Sequence, residues 1–351
     1  MIKIGLVGCG AAGMSHLHAM QSVKGLKIEA VCDINADFAA RASLESGAPW
    51  FIDAGMMMRK AELDAVAVIT TAHTHYQVAK LAAENNLPVL IEKPLTLDPK
   101  EGAKLVDVFK RKKLLLAVTF TYRYVSETRK MKEIIDSGAI GTVLEMRHIA
   151  WGGFPEKFPE GTTDRVKYDR MYGKDIRGIL FDCGVHTFDL FRWLSGQEYV
   201  KFLGMGVCHA GYEFPDSGSV LCEMTHGVRG VYDHGPLPWF LGGESGIGLC
   251  MICVAGTKGS IIWKIVDRKE NGKYVSEFQV NTAEKQTVKK MPLFSKCRED
   301  QHADFVKSVK AGKLSGCFPD PQEANVATLS AQKAVDAVMR NIVGKTTVRR
   351  P

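Results

Sequence analysis

The sequence predicts a two-domain α/β protein: an amino-terminal Rossmann doubly wound parallel sheet, then a carboxy-terminal α+β domain with an open, mostly antiparallel sheet. Three observations carry this prediction. Over the first third of the chain, short Val/Ile/Leu/Ala runs alternate with helix-length amphipathic stretches, the βαβ rhythm of parallel strands covered on both faces. From about residue 200 to residue 280 strand follows strand across glycine turns, as in antiparallel sheets. A length of 351 residues with 46% hydrophobic content gives each of two domains enough material for its own core.

In order along the chain, strands are expected at 3–7, 26–32, 65–69, 89–91 and 114–119. Helices fall between them at 15–22, 36–46, 74–86 and 99–110. The run from Ala65 to Ile69 contains no polar residue, which suits a strand with no solvent face. The domain boundary is set at this point, with residues 1–121 binding a nucleotide and residues 122–351 forming the substrate-binding and oligomerisation domain. A helix at 126–137, closed by Gly138, and a strand at 143–150 lead into a Gly/Pro/charged loop over 152–174, longer than compact domains usually carry without a use. A helix at 184–194, the strand-rich stretch, and two amphipathic helices at 299–311 and 321–341 complete the chain.

Charge and cysteine usage exclude several classes of function. The net charge of +7 is modest and spread along the chain, so no nucleic-acid stripe is expected, and the clusters Arg111-Lys112-Lys113 and Arg349-Arg350 read as solvated ends. The uncharged stretch between Lys3 and Lys24 is interrupted by Ser15, His16, His18 and Gln21 and holds four glycines, so it is neither a signal peptide nor a membrane span. A cytoplasmic protein without a membrane partner is expected. Nine scattered cysteines in apolar runs read as reduced core residues. Cys250 and Cys253 lie three apart in a strand-like run and point to opposite faces, so no zinc site, and no resident metal, is expected there.

The first chemical motif is Gly8-Cys9-Gly10-Ala11-Ala12-Gly13, which follows a strand and opens a helix. In that context Gly8 permits the tight turn, Gly10 lets backbone approach a pyrophosphate, and Gly13 lets helix and strand pack closely. Asp33 stands twenty residues beyond Gly13, at the end of the second strand. A carboxylate there accepts from two ribose hydroxyls and repels a 2′-phosphate, so NAD is expected over NADP. Arg41, eight residues further on, is poorly placed to reverse that preference. The alternatives are a glycine turn that binds no nucleotide, or a flavin.

Two further motifs carry reaction chemistry. Val89-Leu-Ile-Glu92-Lys93-Pro94 ends a buried strand, where ligands of open α/β sheets bind, and an ammonium at Lys93 can stabilise charge developing on a substrate oxygen. The plain alternative is that Lys93 only pairs with a carboxylate. Pro94 can fix the turn through a cis peptide. Asp182 and His186, four apart, share a face if the helix already includes Asp182, so that His186 can act as general base with a carboxylate beside it. The same spacing can bind a divalent metal if His209, His226 or His234 adds a third ligand, and the plain reading is a capping Asp with a core histidine.

Together these residues resemble the Gfo/Idh/MocA oxidoreductases: the G-x-G-x-x-G turn, Glu92-Lys93-Pro94, Tyr122-Arg123-Tyr124 after the last strand of the sheet, and Asp182-x-x-x-His186 ahead of Asp-Leu-Phe-Arg-Trp-Leu. The resemblance spans nearly the whole chain. It implies a Rossmann domain plus an α/β domain whose open sheet joins subunits, with the active site between domains and a homodimer or homotetramer as the assembly. It also implies that Lys93, Asp182 and His186 are catalytic. The cofactor contacts implied are Gly8, Gly10, Ala11, Ala12, Gly13, Asp33, Glu92 and Lys93, with Thr71 and His75 on the nicotinamide side. This chain has Ala72 where the family usually has proline after Thr71.

The function expected is NAD-dependent transfer of a hydride between a secondary alcohol of a cyclic polyol, sugar or glycoside and the nicotinamide. Tyr122, Arg123, Tyr124, Trp151, Tyr168, Arg170 and Tyr172 are candidates to border the cleft, since aromatic faces beside polar groups suit sugar rings, and ordinary packing is their alternative role. Two other classes stand beside this one. The first is an NAD-dependent, redox-assisted glycoside lyase or hydrolase with no net cofactor turnover. The second is a non-catalytic NAD sensor, which would need none of Lys93, Asp182 and His186.

Overall fold

The computed structural model describes residues 1–152, 177–208, 213–236, 249–270, 273–292 and 296–343. Six strands form the first sheet: β1 (Ile2–Val7), β2 (Leu26–Cys32), β3 (Trp50–Phe51), β4 (Ala65–Val68), β5 (Val89–Glu92) and β6 (Leu116–Thr119). All pair in parallel, in the order β3-β2-β1-β4-β5-β6. Helices α1 (Ala11–Gln21), α2 (Ala36–Ser46), α3 (Ala54–Lys60), α4 (His75–Glu84) and α5 (Pro99–Lys112) connect them. The strand order reverses between β1 and β4, the place where sheets of this type open a crevice at the carboxyl ends of their strands.

The apolar runs form the middle of this sheet because they have no polar face to turn outward: every residue of β4 is fully buried, as are Val89, Leu90 and Ile91 of β5. Helix starts are marked by short polar side chains that accept from orphan N–H groups. Asn35 accepts from Asp37 and Phe38 ahead of α2, Asp53 from Met56 ahead of α3, and Asp98 from Lys100 where Pro99 opens α5. Periodicity predicts no element between residues 46 and 65, yet β3 and α3 lie there. A two-residue strand is too short to show a period, and Trp50 and Phe51 are recruited only by pairing with Val31 and Cys32.

The second sheet holds β7 (Val143–Gly152), β8 (Tyr199–Val207), β9 (Ser217–Met224), β10 (Arg229–Pro236), β11 (Leu249–Gly256), β12 (Gly259–Glu270), β13 (Lys273–Thr282) and β14 (Gln286–Pro292). Its order is β14-β13-β12-β11-β7-β10-β9-β8; β7 and β10 pair in parallel, and the other neighbours antiparallel. One face is core, with Met146, His148, Cys222, Tyr232, Ile252 and Trp263 all buried. Helices α6 (Ser126–Asp136), α7 (Ile179–Asp182) and α8 (Gly184–Ser195) belong to the same unit, and α8 lies against β7 and β10. The other face exposes Leu203, Met205, Leu221 and Val288.

The chain divides into two compact units, Met1–Tyr124 with Lys296–Leu329, and Val125–Ser295 with Ser330–Pro351. Two sequence segments thus build the first unit, whereas the expected division at residues 121 and 122 assigned it one. Helix α9 (Cys297–Ala311) forms where a helix is predicted, but its buried face includes Gln301, His302 and Ser308, and periodicity cannot say which core it covers. Its Cys297 and Phe305 join Leu17, Met20, Tyr124 and Phe318 in the core of the first unit. The division falls inside α10 (Pro321–Met339), whose later part brings Val338 so close to Gly204 that a Cβ there would stand 2.5 Å from a Val338 methyl. No helix among the described residues is long and apolar enough to cross a membrane.

Because Phe305 is fully buried in the core of the first unit, Phe305→Ala is expected to cost about 3–5 kcal/mol. Native-state hydrogen exchange checks it: amides of β1 and β4 should lose protection, and unchanged protection there would place α9 outside this core.

Candidate active site

The glycine turn is built by exclusion of side chains. Gly8 has a φ of +96°, and a Cβ on it would lie 2.2 Å from Ile69 O; a Cβ on Gly13 would lie 2.0 Å from Gly8 O. Gly10, between them, faces open space, with nothing within 4 Å of a Cβ position. Helix α1 starts here without a side-chain cap, and Ala11 and Ala12 in its first turn are exposed. Uncapped N–H groups beside open space suit the phosphates of a dinucleotide. These residues fit NAD.

Asp33 anchors the turn. Its Oδ2 accepts from Cys9 N at 2.7 Å and its Oδ1 from Asn35 N at 2.9 Å, and each carboxylate oxygen keeps a second lone pair for a ribose hydroxyl. Burial and the Asp33 carboxylate push the Cys9 thiol up to about 12, so it stays protonated beneath the loop. Arg41 is closer to the turn than its sequence separation suggests. Its Nη2 lies 3.5 Å from Cys9 O, and its guanidinium stands 5.7 Å from the Phe38 ring centroid.

At the end of β5 the Lys93–Pro94 peptide is cis, as the sequence allowed. Glu92 Oε2 accepts from Lys93 N at 2.9 Å, and Glu92 Oε1 lies 2.9 Å from His16 Nε2. The other ring nitrogen of His16 lies 3.0 Å from His302 Nε2 on α9. Neither histidine has exposed surface. The Lys93 side chain is partly exposed.

Thr71 is exposed ahead of a short 3-10 turn at Ala72–Thr74, and its hydroxyl lies 3.4 Å from His73 Nε2. His75 differs from its expected place as a cofactor contact. It is fully buried, with Nδ1 at 2.8 Å from Pro94 O and Nε2 at 3.2 Å from Thr70 O. Both nitrogens are occupied by backbone, and burial holds the ring's pKa below its ordinary value. Its part is to tie the Thr70 strand end to the Pro94 turn.

In the second unit Asp182 ends α7 and His186 lies in the first turn of α8. Cys183, between the two helices, keeps helical backbone angles, so the four-residue spacing does place Asp182 and His186 on one side. From Ile179 to Phe191 the partly exposed residues are Asp182, Cys183 and His186, and the others are buried. His148 on β7 donates to or accepts from Thr187 Oγ1 at 2.7 Å, and its other nitrogen lies 3.7 Å from Cys250 Sγ. Tyr232 stacks between His148 and His234, with centroids at 5.6 and 5.8 Å. Burial, then the proximity of His234 and His186, pushes His148 down to about 3; burial pushes His234 down to about 4 against the pull of Asp182. Both are therefore neutral at pH 7.

Other expected residues fall elsewhere. Arg123 is buried with its guanidinium 3.8 Å from Glu323, and buried Tyr124 accepts from Cys317 N at 3.3 Å, so both anchor the first unit. Trp151 donates to Asp233 Oδ1 at 3.2 Å, and strand alternation puts both on the sheet face opposite His148. Tyr122 is partly exposed. Tyr168, Arg170, Tyr172, His209 and the 152–174 loop beyond Gly152 lie outside the described residues. His226 sits in the exposed turn after β9, bound to Gln197, away from Asp182 in the fold's topology. Among the described residues no group of three or more His, Cys, Asp or Glu has the arrangement of a metal site. Sequence reasoning missed His16, His302 and His148, whose neighbours come from distant segments.

Comparison with known proteins agrees with this architecture. Residues 2–120 match the family model described as "Oxidoreductase family, NAD-binding Rossmann fold", and residues 128–262 match that of the "GFO/IDH/MocA C-terminal domain". The rhizopine catabolism protein MocA of Rhizobium meliloti is 30% identical over 241 residues, 66% of this chain and 71% of that protein. Inositol 2-dehydrogenase 2 of Saccharopolyspora erythraea is 30% identical over 234 residues, 65% of this chain and 64% of that protein, so the matched stretch spans about two thirds of these relatives. A crystal structure of an oxidoreductase from Agrobacterium radiobacter in complex with NAD+, L-tartaric acid and magnesium has the same fold, with a TM-score of 0.83, 19% identity and 96% of each chain covered.

The depressed value at His148 makes stability depend on pH. An imidazole of the unfolded chain takes up its proton near pH 6.5, whereas His148 in the fold does so only near about 3. Between those values the unfolded state binds more protons, so stability is full above pH 6.5 and falls by up to about 1.4 kcal/mol per pH unit below it. Urea midpoints measured from pH 7.5 to 4.5 should show this acid limb, and His148→Gln should make it shallower; equal slopes would rule out His148 as a contributor.

Proposed function

Because the chain belongs to the Gfo/Idh/MocA oxidoreductases and carries their NAD-binding Rossmann domain, we propose that it reversibly oxidises a secondary alcohol of a cyclic polyol, sugar or glycoside. The observation that carries this reading is the pair Asp182 and His186, partly exposed in a segment whose other residues are buried, in a chain that also presents Lys93 beyond a strand end. NAD, when bound, supplies the acceptor for the hydrogen and electron pair that leave the carbinol carbon.

His186 accepts the hydroxyl proton as the carbon is oxidised. An imidazole suits this task because its ordinary pKa lies near the working pH, and neutral His148 and His234 put no second positive charge against the imidazolium that forms. Asp182 stabilises that imidazolium or holds an adjacent hydroxyl. Lys93 donates to the substrate oxygen as negative charge develops on it, and the Glu92 and Pro94 contacts fix the backbone from which its side chain extends. The relatives named above support a polyol or sugar substrate, one being an inositol 2-dehydrogenase, and give no support to a lyase. The apolar outer face of the second sheet supports a homodimer or homotetramer.

Purified protein with excess NAD and a panel of inositols, aldoses and glycosides should form NADH with one substrate class; product without net NADH would overturn the dehydrogenase reading. His186→Ala and Lys93→Met should each lower turnover about 10²–10⁴-fold while NAD affinity holds, and full turnover in both would remove these residues from the mechanism. Asp33→Ser should narrow the preference for NAD over NADP, read as the ratio of kcat/KM values, and an unchanged ratio would deny Asp33 its ribose role.

A further inference from the structure

A buried chain of polar groups lies behind the Glu92-Lys93-Pro94 turn, and the reaction proposed above does not use it directly. It runs from His302 on α9 through His16 on α1 to Glu92, and ends at the Lys93 amide, over contacts of 3.0, 2.9 and 2.9 Å. The imidazole rings meet edge-on, with centroids 5.0 Å apart and planes at 88°. That geometry aims the Nε2 of His302 at the Nδ1 lone-pair direction of His16. The far nitrogen of His302, Nδ1, is buried without a hydrogen-bond partner, and so is Nε of Arg298, one helical turn earlier.

Proton accounting leaves two arrangements. A carboxylate only accepts, so His16 Nε2 carries a proton for Glu92. One proton then lies between His16 Nδ1 and His302 Nε2. If it belongs to His302, both rings are neutral and His302 Nδ1 is a bare lone pair. If it belongs to His16, that ring is an imidazolium and His302 must keep its own proton on Nδ1, a buried N–H with no acceptor. The unpartnered Arg298 donor decides between them, because a guanidinium favours a nearby lone pair and opposes a nearby N–H. The unmet buried donor alone would cost about 1–3 kcal/mol. Burial, then the neighbouring His16 and the charge of Arg298, also hold His302 well below its ordinary pKa, which keeps that ring neutral.

We propose that His302 is a positioning residue for Lys93: its Nε2–H donates to His16 Nδ1, His16 Nε2–H donates to Glu92 Oε1, and the carboxylate so oriented holds the Lys93 amide with Oε2. The relay has a single polarity, and reversing any bond in it strands a donor in the interior. The helix that supplies His302 therefore contributes to the aim of the Lys93 ammonium from about two hundred residues further along the chain. The kinetic part of this proposal rests on the reaction proposed above, and the tautomer part does not.

Long-range 1H–15N correlation spectra of histidine-labelled protein at pH 7.5 test the relay without any substrate. Both His16 and His302 should be neutral Nε2–H tautomers, with His302 assigned by the signal lost in His302→Gln. An imidazolium at His16 or an Nδ1–H tautomer at His302 would overturn the relay whatever the enzyme's substrate proves to be. With a polyol that is turned over, His302→Leu should lower kcat about 10–100-fold, with KM and NADH affinity within about threefold. His302→Gln, whose amide Nε2 can donate at the same place, should recover kcat to within about threefold of the parent. Equal losses in Leu and Gln variants, or losses confined to NADH affinity, would reduce His302 to packing.

Discussion

At Gly8 backbone packs directly on backbone, and the nucleotide-binding turn depends on that approach. There the end of β1 passes so near Ile69, at the end of β4, that no Cβ fits between them, and Gly13 packs on Gly8 under the same constraint. β1 and β4 are the two strands on either side of the reversal in strand order. Their close packing opens α1 directly against the sheet, leaves its first N–H groups without a side-chain cap, and brings Cys9 N onto the Asp33 carboxylate. A methyl group at either glycine would push these pieces apart, so the cofactor site depends on two missing side chains before it depends on any side chain present.

A second theme is how the protein keeps imidazoles uncharged in its interior. His75, His148, His234 and His302 are each pushed below the ordinary histidine pKa, burial being the largest cause in every case. A neutral imidazole is a rigid plate with one donor and one acceptor, so each ring can join two segments of defined polarity. His16 with His302 joins two distant helices to Glu92, and His148 joins β7 to Thr187 of α8, whereas both nitrogens of His75 face carbonyl oxygens, so its neutral ring donates to one of Pro94 and Thr70. His186 and His234 are partly exposed, and the reaction proposed above draws on the first of them.

The elements whose evidence is local were legible in the sequence. The glycine turn, Asp33, the apolar run at β4 and the turn at Pro94 follow from spacing and strand ends, and the parallel sheet follows from their alternation. What was not legible depends on long-range contact. The partners of His16 and His302 lie 286 residues apart, and no period or spacing links them. Trp151 and Arg123 have the residue types of a sugar site, but the strand register turns one to the far face and an ion pair with Glu323 draws the other inward. For the same reason β3 is invisible until β2 offers it a partner.

Helix α9 gives the order of events during synthesis a particular form. The first unit is made from Met1–Tyr124 and from Lys296–Leu329, and most of the second unit is written between them, its remainder following from Ser330. A nascent chain that has just released β6 from the ribosome holds Leu17, Met20 and Tyr124 without Phe305 and Phe318 to cover them, and holds His16 without His302. Neither unit is complete on its first segment: the nucleotide-binding unit waits for α9, and the second sheet waits for the part of α10 that packs Val338 on Gly204. A chain truncated before α9 therefore lacks part of the cofactor domain, so the nucleotide site on the first strands depends on a helix made after the second sheet.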